Sequence, residues 1–405
     1  MREINHKLTK DELILTVFSV CHTVSNLFLG TFVISFLMHN AINDVVSVSV
    51  YRLFYFFAIC VTFILATNWC KNGNKHIVFG MNIIARIVLL GLIAILGPNA
   101  TDCVITLGVL YGIFDGFWNL PMYGMVIDNV QSERMVFFIG TKNAIKNIVK
   151  ILIPVVLGAL ITIKSLQNVA WIIMGISALE IFMLFKLSPQ KHHKYKRASL
   201  SNFWKKIKTN CVLRKIFFSE ILRGFAWVLE TVVVMYIVNV FHTDMNLGIW
   251  STVFAICTII ASWAFGRFCS ERDFKWVIAI CSGLLIFSAV SLIIDVNRVS
   301  TLIYAFAYAV AIEIMNQVCS ATTMNLARTK FVTDAYHTEY FVTRDVMLFI
   351  GRWIACVSMI YIGVFNMNYI LKYFIALLFF AQILACITIT KQSKYIRNNT
   401  KQIRH

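Results

Sequence analysis

GIFDGFWNLPMYGMVIDNVQSERMVFFIGTKNAIKNIVKILIP, residues 112–154, reads as two bilayer-crossing helices joined by a short polar turn. The first carries Asp115 inside an apolar run. The second carries Lys142, Lys146 and Lys150 at four-residue spacing, close to one helical turn, so they share one side of the helix. Asn143 and Asn147 widen that side into a polar face. A charge inside a bilayer costs roughly a few kcal/mol or more and turns towards a bundle interior, a partner or a water-filled cavity. The hairpin therefore reads as part of a transport pathway.

The rest of the chain extends this pattern. Of 405 residues, 59% are hydrophobic and 14% charged, with mean hydropathy +0.76. Soluble domains are about half apolar and about a quarter charged, so a soluble globule is excluded. The net charge of +18 does not point to nucleic acid, because Lys and Arg cluster on alternate sides of successive apolar runs. Anionic lipid headgroups are the expected neighbours of these basic loops. The opposite loops hold only Lys164 and Arg298. Both termini are thus expected in the cytoplasm, with the chain multi-pass in the cell membrane and its first span retained. The eleven cysteines are scattered, with no CxxC or Cys/His spacing, so neither a disulfide framework, a metal site nor a cofactor is expected.

Twelve spans fit, near residues 12–39, 46–69, 77–97, 103–129, 135–163, 168–187, 212–242, 246–268, 276–295, 299–327, 338–365 and 368–390. The expected organisation is an all-α membrane protein in two pseudo-symmetric six-helix bundles, residues 1–187 and 212–390. A basic cytoplasmic linker (188–211) and a basic tail (391–405) complete it. Within the linker, NFWKKIK is either a surface amphipathic helix, with Phe203 and Trp204 in the interface, or a solvated connection. The halves echo one another. LFLGT (27–31) matches WVLET (227–231), and Asp115/Asn119 match Glu313/Gln317. Lys142 and Lys146 correspond to Arg344 and Arg352. Together these fit an internally duplicated transporter.

Six plus six spans, inside termini and a basic central loop make the chain resemble the major facilitator superfamily along its whole length. That family's Gly…Asp-Arg-x-Gly-Arg-Arg loop between spans two and three is degenerate here. NWCKNGNKH keeps only Asn72-Gly73 and Lys75, which puts a charge relay there in doubt. The corresponding loop between spans eight and nine, GRFCSERDFKW, keeps Gly266, Arg267, Arg272 and Lys275. PVVLG (154–158) looks like the proline-glycine element of antiporter members. The resemblance implies alternating access of a site near the bilayer midplane.

Interior ionisable groups are the candidates for such a site. With about 1.5 Å of rise per residue, Lys146 and Asp115 lie roughly 16 and 18 Å into their spans, near the middle of a core about 30 Å thick. A pairing of Asp115 with Lys146 or Lys142 is expected. The second half offers Arg223 and Glu230 on one face of span seven, Glu313 in span ten, and Arg344, Asp345 and Arg352 in span eleven. His22 and Arg86 lie in spans one and three. Each carboxylate is either a proton site or a fixed salt bridge, and His22 is either a proton carrier or a packing residue. Phe114, Phe117, Trp118 and Tyr123 either line a cavity or serve as lipid-facing bulk. Interior cations outnumber interior anions, which points to an anionic solute.

The expected function is a secondary active transporter, not an enzyme, that moves a small organic or amphipathic anion. Protons are favoured over sodium because no unwound helix is evident, and uniport is open. No nucleotide-binding or hydrolase pattern occurs. A monomer is favoured. The alternatives are a multidrug-type proton antiporter, a flippase for lipid-linked substrates and a non-transporting membrane sensor.

Overall fold

The structure is a computed structural model. It describes residues 8–41, 43–71, 75–130, 135–187, 200–269, 273–327, 337–365 and 367–402. Regular structure among them is entirely helical, as expected where lipid offers no hydrogen bonds to an open backbone. The helices are α1 (Lys10–Leu27), α2 (Val33–Asn40), α3 (Asp44–Lys71), α4 (Lys75–Leu96), α5 (Val104–Gly116), α6 (Asn119–Asn129), α7 (Met135–Lys164), α8 (Leu166–Phe185) and α9 (Leu200–Thr209). They continue with α10 (Cys211–Ala226), α11 (Leu229–Phe241), α12 (Asp244–Phe268), α13 (Phe274–Ile294), α14 (Arg298–Ala307), α15 (Glu313–Ala327), α16 (His337–Val364) and α17 (Leu371–Gln402).

Eleven described segments are long and apolar enough to cross a membrane, and one of them, Lys75–Val126, is 52 residues long. That segment holds α4 and then α5–α6, separated by a 3₁₀ turn at Gly97–Cys103. Counted as two, it brings the total to twelve. The turn depends on Gly97, which has φ +54°; a Cβ there would lie 1.6 Å from the Gln167 amide nitrogen.

Among the described residues four spans are interrupted, and they are three spans apart. Spans one and ten contain π turns, Phe28–Phe32 and Tyr308–Ile312. Spans four and seven break at Phe117–Trp118 and Trp227–Val228. Interruption loosens backbone hydrogen bonding, which must be satisfied inside the bundle. Tyr51 donates to the Leu29 carbonyl at 3.1 Å and Arg52 to the Gly30 carbonyl at 3.0 Å. In the other half Tyr304 donates to the Leu229 carbonyl at 3.4 Å, and Thr258 to the Ala309 carbonyl at 3.2 Å. Leu29 and Leu229 are equivalent in the LFLGT/WVLET match, and each carbonyl accepts a tyrosine hydroxyl.

By packing, the chain forms two units, Met1–Tyr195 with Phe241–Val253, and Lys196–Val240 with Phe254–His405. In the first unit α3 and α5 approach closely along Gly108, Gly112 and Gly116; a Cβ on Gly112 would sit 2.4 Å from the Tyr55 carbonyl oxygen. The opening turns of α12 join this unit. Ser35 donates to Asp244 at 2.6 Å, Thr252 donates to the Ile151 carbonyl at 2.8 Å, and a Cβ on Gly248 would meet the Pro154 carbonyl at 2.5 Å. The proline-glycine element of α7 is thus a close-packing surface. In the second unit α10 and α16 meet at Gly224 and Gly351, where an added Cβ would lie 2.1 and 2.0 Å from backbone oxygens.

Most of the expected tail continues α17, which runs on to Gln402. The linker residues 200–209 form α9, but Phe203 is fully buried by protein instead of resting in the lipid interface. Residues 188–199 of the linker lie outside the described residues.

Candidate functional site

In the first unit, α1, α3, α5 and the start of α6 bring a titratable cluster together. The break after Gly116 turns Trp118 flat against His22, with ring centroids 3.8 Å apart and planes 4° apart. The imidazole Nε2 then lies 3.4 Å from Asp115 Oδ1. Tyr55 donates its hydroxyl to Asp115 Oδ2 at 2.7 Å. Asn82 of α4 donates to the Phe114 carbonyl, which steadies the same turn. Asp115 is therefore held by His22 and Tyr55. The expected contact pairing with Lys142 or Lys146 is not observed: Lys142 lies over the Phe138 ring at 5.8 Å, while Lys146 is near enough to Asp115 for their charges to interact through space. Lys142 and Lys146 are half-buried, and Lys150, Asn119 and Tyr123 are exposed. None of the three lysines has a carboxylate within ion-pair distance among the described residues.

Two other first-unit cations are neutralised in place. Arg86 meets Glu180 of α8 at 2.6 Å, both closed off from solvent. Lys75 meets Asp128 at 2.7 Å, also buried. Of the signature residues that the first loop keeps, Lys75 is described, and residues 72–74 lie outside the described residues. Burial pushes the neighbouring Cys70 thiol up to about 11, so it adds no charge at neutral pH.

The second unit holds a polar seam across α10, α15 and α17. Arg223 is buried and pairs with Glu220 one turn earlier at 3.3 Å. It also donates to Asn316 at 3.2 Å and to Ser320 at 3.3 Å. Thr323 donates to Glu220 at 3.1 Å, and Gln382 to Asn316 at 3.3 Å. Glu230, expected to share a face with Arg223, lies beyond the helix break and is exposed. Glu313 accepts from Gln317 at 3.1 Å and from Ser262 at 3.3 Å. Arg344 pairs with its neighbour Asp345 at 2.7 Å. Arg352 is buried over Trp227 at 4.3 Å, next to the break in span seven. Each half thus sets a tryptophan at a helix break under a cationic or titratable side chain, His22 on Trp118 and Arg352 on Trp227. Arg272 of the second signature loop lies outside the described residues.

Glu180, Glu220 and Tyr55 were not among the sequence candidates, and they alter the charge balance. Arg86 and Arg223 are matched by Glu180 and Glu220, so two of the interior cations that the sequence left unbalanced are paired. Glu220 was open to discovery, because positions three apart on a helix are neighbours. No group of three or more His, Cys, Asp or Glu able to hold a metal ion occurs among the described residues.

The family model described as Major Facilitator Superfamily matches residues 14–342. No curated protein matches the sequence. Several solved structures share the fold at low identity. A bacterial homologue of the iron transporter ferroportin, in an inward-facing state, has TM-score 0.72 at 12% identity, covering 96% of this chain and 99% of its own. The nucleoside transporter NupG has TM-score 0.68 at 13% identity, covering 94% and 98%. A D-xylose-proton symporter has TM-score 0.67 at 9% identity, covering 94% and 96%.

Proposed function

Since the chain belongs to the major facilitator superfamily and is a multi-pass membrane transporter, we propose that it carries a small organic or amphipathic anion by alternating access, coupled to protons. The observation that carries this reading is the lysine face of α7. Lys142, Lys146 and Lys150 bring three positive charges into a membrane-crossing segment, Thr141–Lys164, with no carboxylate in contact among the described residues. A membrane-embedded cation is costly without a compensating charge, and a bound anion supplies it. A multidrug-type exporter of cations fits this face poorly. Expected roles also fall to Asn119, exposed beside the cluster, and in the second unit to Arg223, Glu230, Glu313, Arg344 and Arg352.

The proton reading rests on His22, Asp115 and Tyr55. A histidine and a carboxylate in contact, with a hydroxyl on the carboxylate, form a group that can exchange a proton. Helix continuity no longer argues against sodium, because four spans are interrupted. The titratable cluster carries the argument for protons instead.

The test is purified protein in liposomes, offered a panel of labelled organic anions with and without a pH gradient. Accumulation of at least one anion that follows the pH gradient and survives replacement of sodium supports the proposal. Uptake confined to cations or neutral solutes would overturn it.

A further inference from the structure

We propose that α9 and the first turn of α10 form a binding surface for the headgroups of anionic phospholipids at the membrane boundary of the second unit. Between Glu180 and Glu220 the sequence has no acidic residue and ten Lys and Arg. Such a run alone is a solvated basic segment, and the structure gives it a fixed position.

α9 is anchored by protein contacts. Phe203 is fully buried and Ile207 is 5% exposed. Phe203 meets Phe217 of α10 edge-on at 6.2 Å, and Phe217 in turn packs on Tyr340 of α16 at 5.6 Å. The apolar side of the helix is therefore spent on the protein, leaving Lys205 and Lys208 exposed. A single residue, Asn210, joins α9 to α10, and its side chain accepts from the Val212 and Leu213 amides. That cap sets α9 directly at the end of a membrane-crossing segment, Cys211–Phe241.

Depth identifies the partner. Arg214 and Lys215 in the first turn of α10 are exposed, and Phe218, about one turn further along, is 54% exposed. Exposed cations thus give way to an exposed aromatic ring within roughly 6 Å along the helix axis. That is the order in which a bilayer passes from headgroup to acyl chain. The four cations lie where lipid phosphates lie, and a negatively charged headgroup is favoured over a zwitterionic one. A nucleic acid or a soluble acidic peptide has no need of this depth.

The full-length protein, purified in detergent, is equilibrated with mixed micelles of equal parts phosphatidylglycerol and phosphatidylcholine, and retained lipid is quantified by native mass spectrometry. The wild-type protein should retain phosphatidylglycerol in clear excess. Combined Lys205→Gln, Lys208→Gln, Arg214→Gln and Lys215→Gln should reduce that excess by about tenfold or more. A charge-conserving variant, Arg214→Lys with Lys215→Arg, should keep it, as should Lys164→Gln with Arg298→Gln elsewhere on the chain. Equal retention of both lipids by wild type would overturn the proposal, and so would an unchanged preference in the quadruple variant. Displacement of the lipid by inorganic phosphate at matched concentration would also overturn it, by assigning the surface to a soluble anion.

Discussion

Arg86 and Glu180 meet at 2.6 Å with side-chain exposures of 0% and 2%, so α4 and α8 are joined by a full ion pair inside their unit. Removing one partner leaves a buried charge alone, whereas replacing both leaves only apolar volume. Glu180→Gln should lower stability by about 3–5 kcal/mol, while Arg86→Met with Glu180→Leu should recover most of the loss. Thermal unfolding in detergent measures both. A single variant as stable as wild type would show that the pair is dispensable.

Tyr55 bears on coupling through its 2.7 Å hydrogen bond to Asp115. A hydrogen bond to a charged group contributes about 1.5–3 kcal/mol, which converts to roughly ten- to hundredfold in rate if it is needed in the proton-linked step. Tyr55→Phe should slow pH-driven uptake by that order and leave anion exchange at equal pH nearly unchanged. Stopped-flow or filter assays in liposomes separate the two modes. Equal slowing of both would make Tyr55 a packing residue.

Gly351 and Gly283 form a contrasting pair for the packing account. A Cβ on Gly351 would lie 2.0 Å from the Ile221 carbonyl oxygen, whereas one on Gly283 meets nothing within 4 Å. Gly351→Ala forces α10 and α16 apart and should destabilise by about 1–3 kcal/mol or more. Gly283→Ala should be neutral or slightly stabilising, by at most about 1 kcal/mol, from helix propensity. Melting temperatures of the two purified variants check this ordering.

Span positions were legible because a bilayer imposes a long apolar run that few other constraints imitate. The duplication was legible in part: the LFLGT/WVLET match places Leu29 and Leu229 at carbonyls capped by tyrosine in both halves. The breaks themselves were not. A π turn in span one depends on Tyr51 and Arg52 reaching over from α3, and no local sequence reports a tertiary hydrogen bond. The same cause misdirected the charge pairing. Reading Arg223 with Glu230 assumes an unbroken helix across Trp227, and the break sends Glu230 outward while Glu220 takes the arginine. Asp115 stood out as a charge in an apolar run, yet its partners came from α1 and α3, far away in the chain.

The lysine face of α7 is tested most directly by Lys142→Gln with Lys146→Gln, assayed for uptake of the labelled anion that the wild-type protein accumulates in liposomes. Loss of uptake to background, with the melting temperature and reconstituted amount unchanged, is the predicted result. Wild-type anion uptake by the double variant would contradict the assignment of that face to an anionic solute.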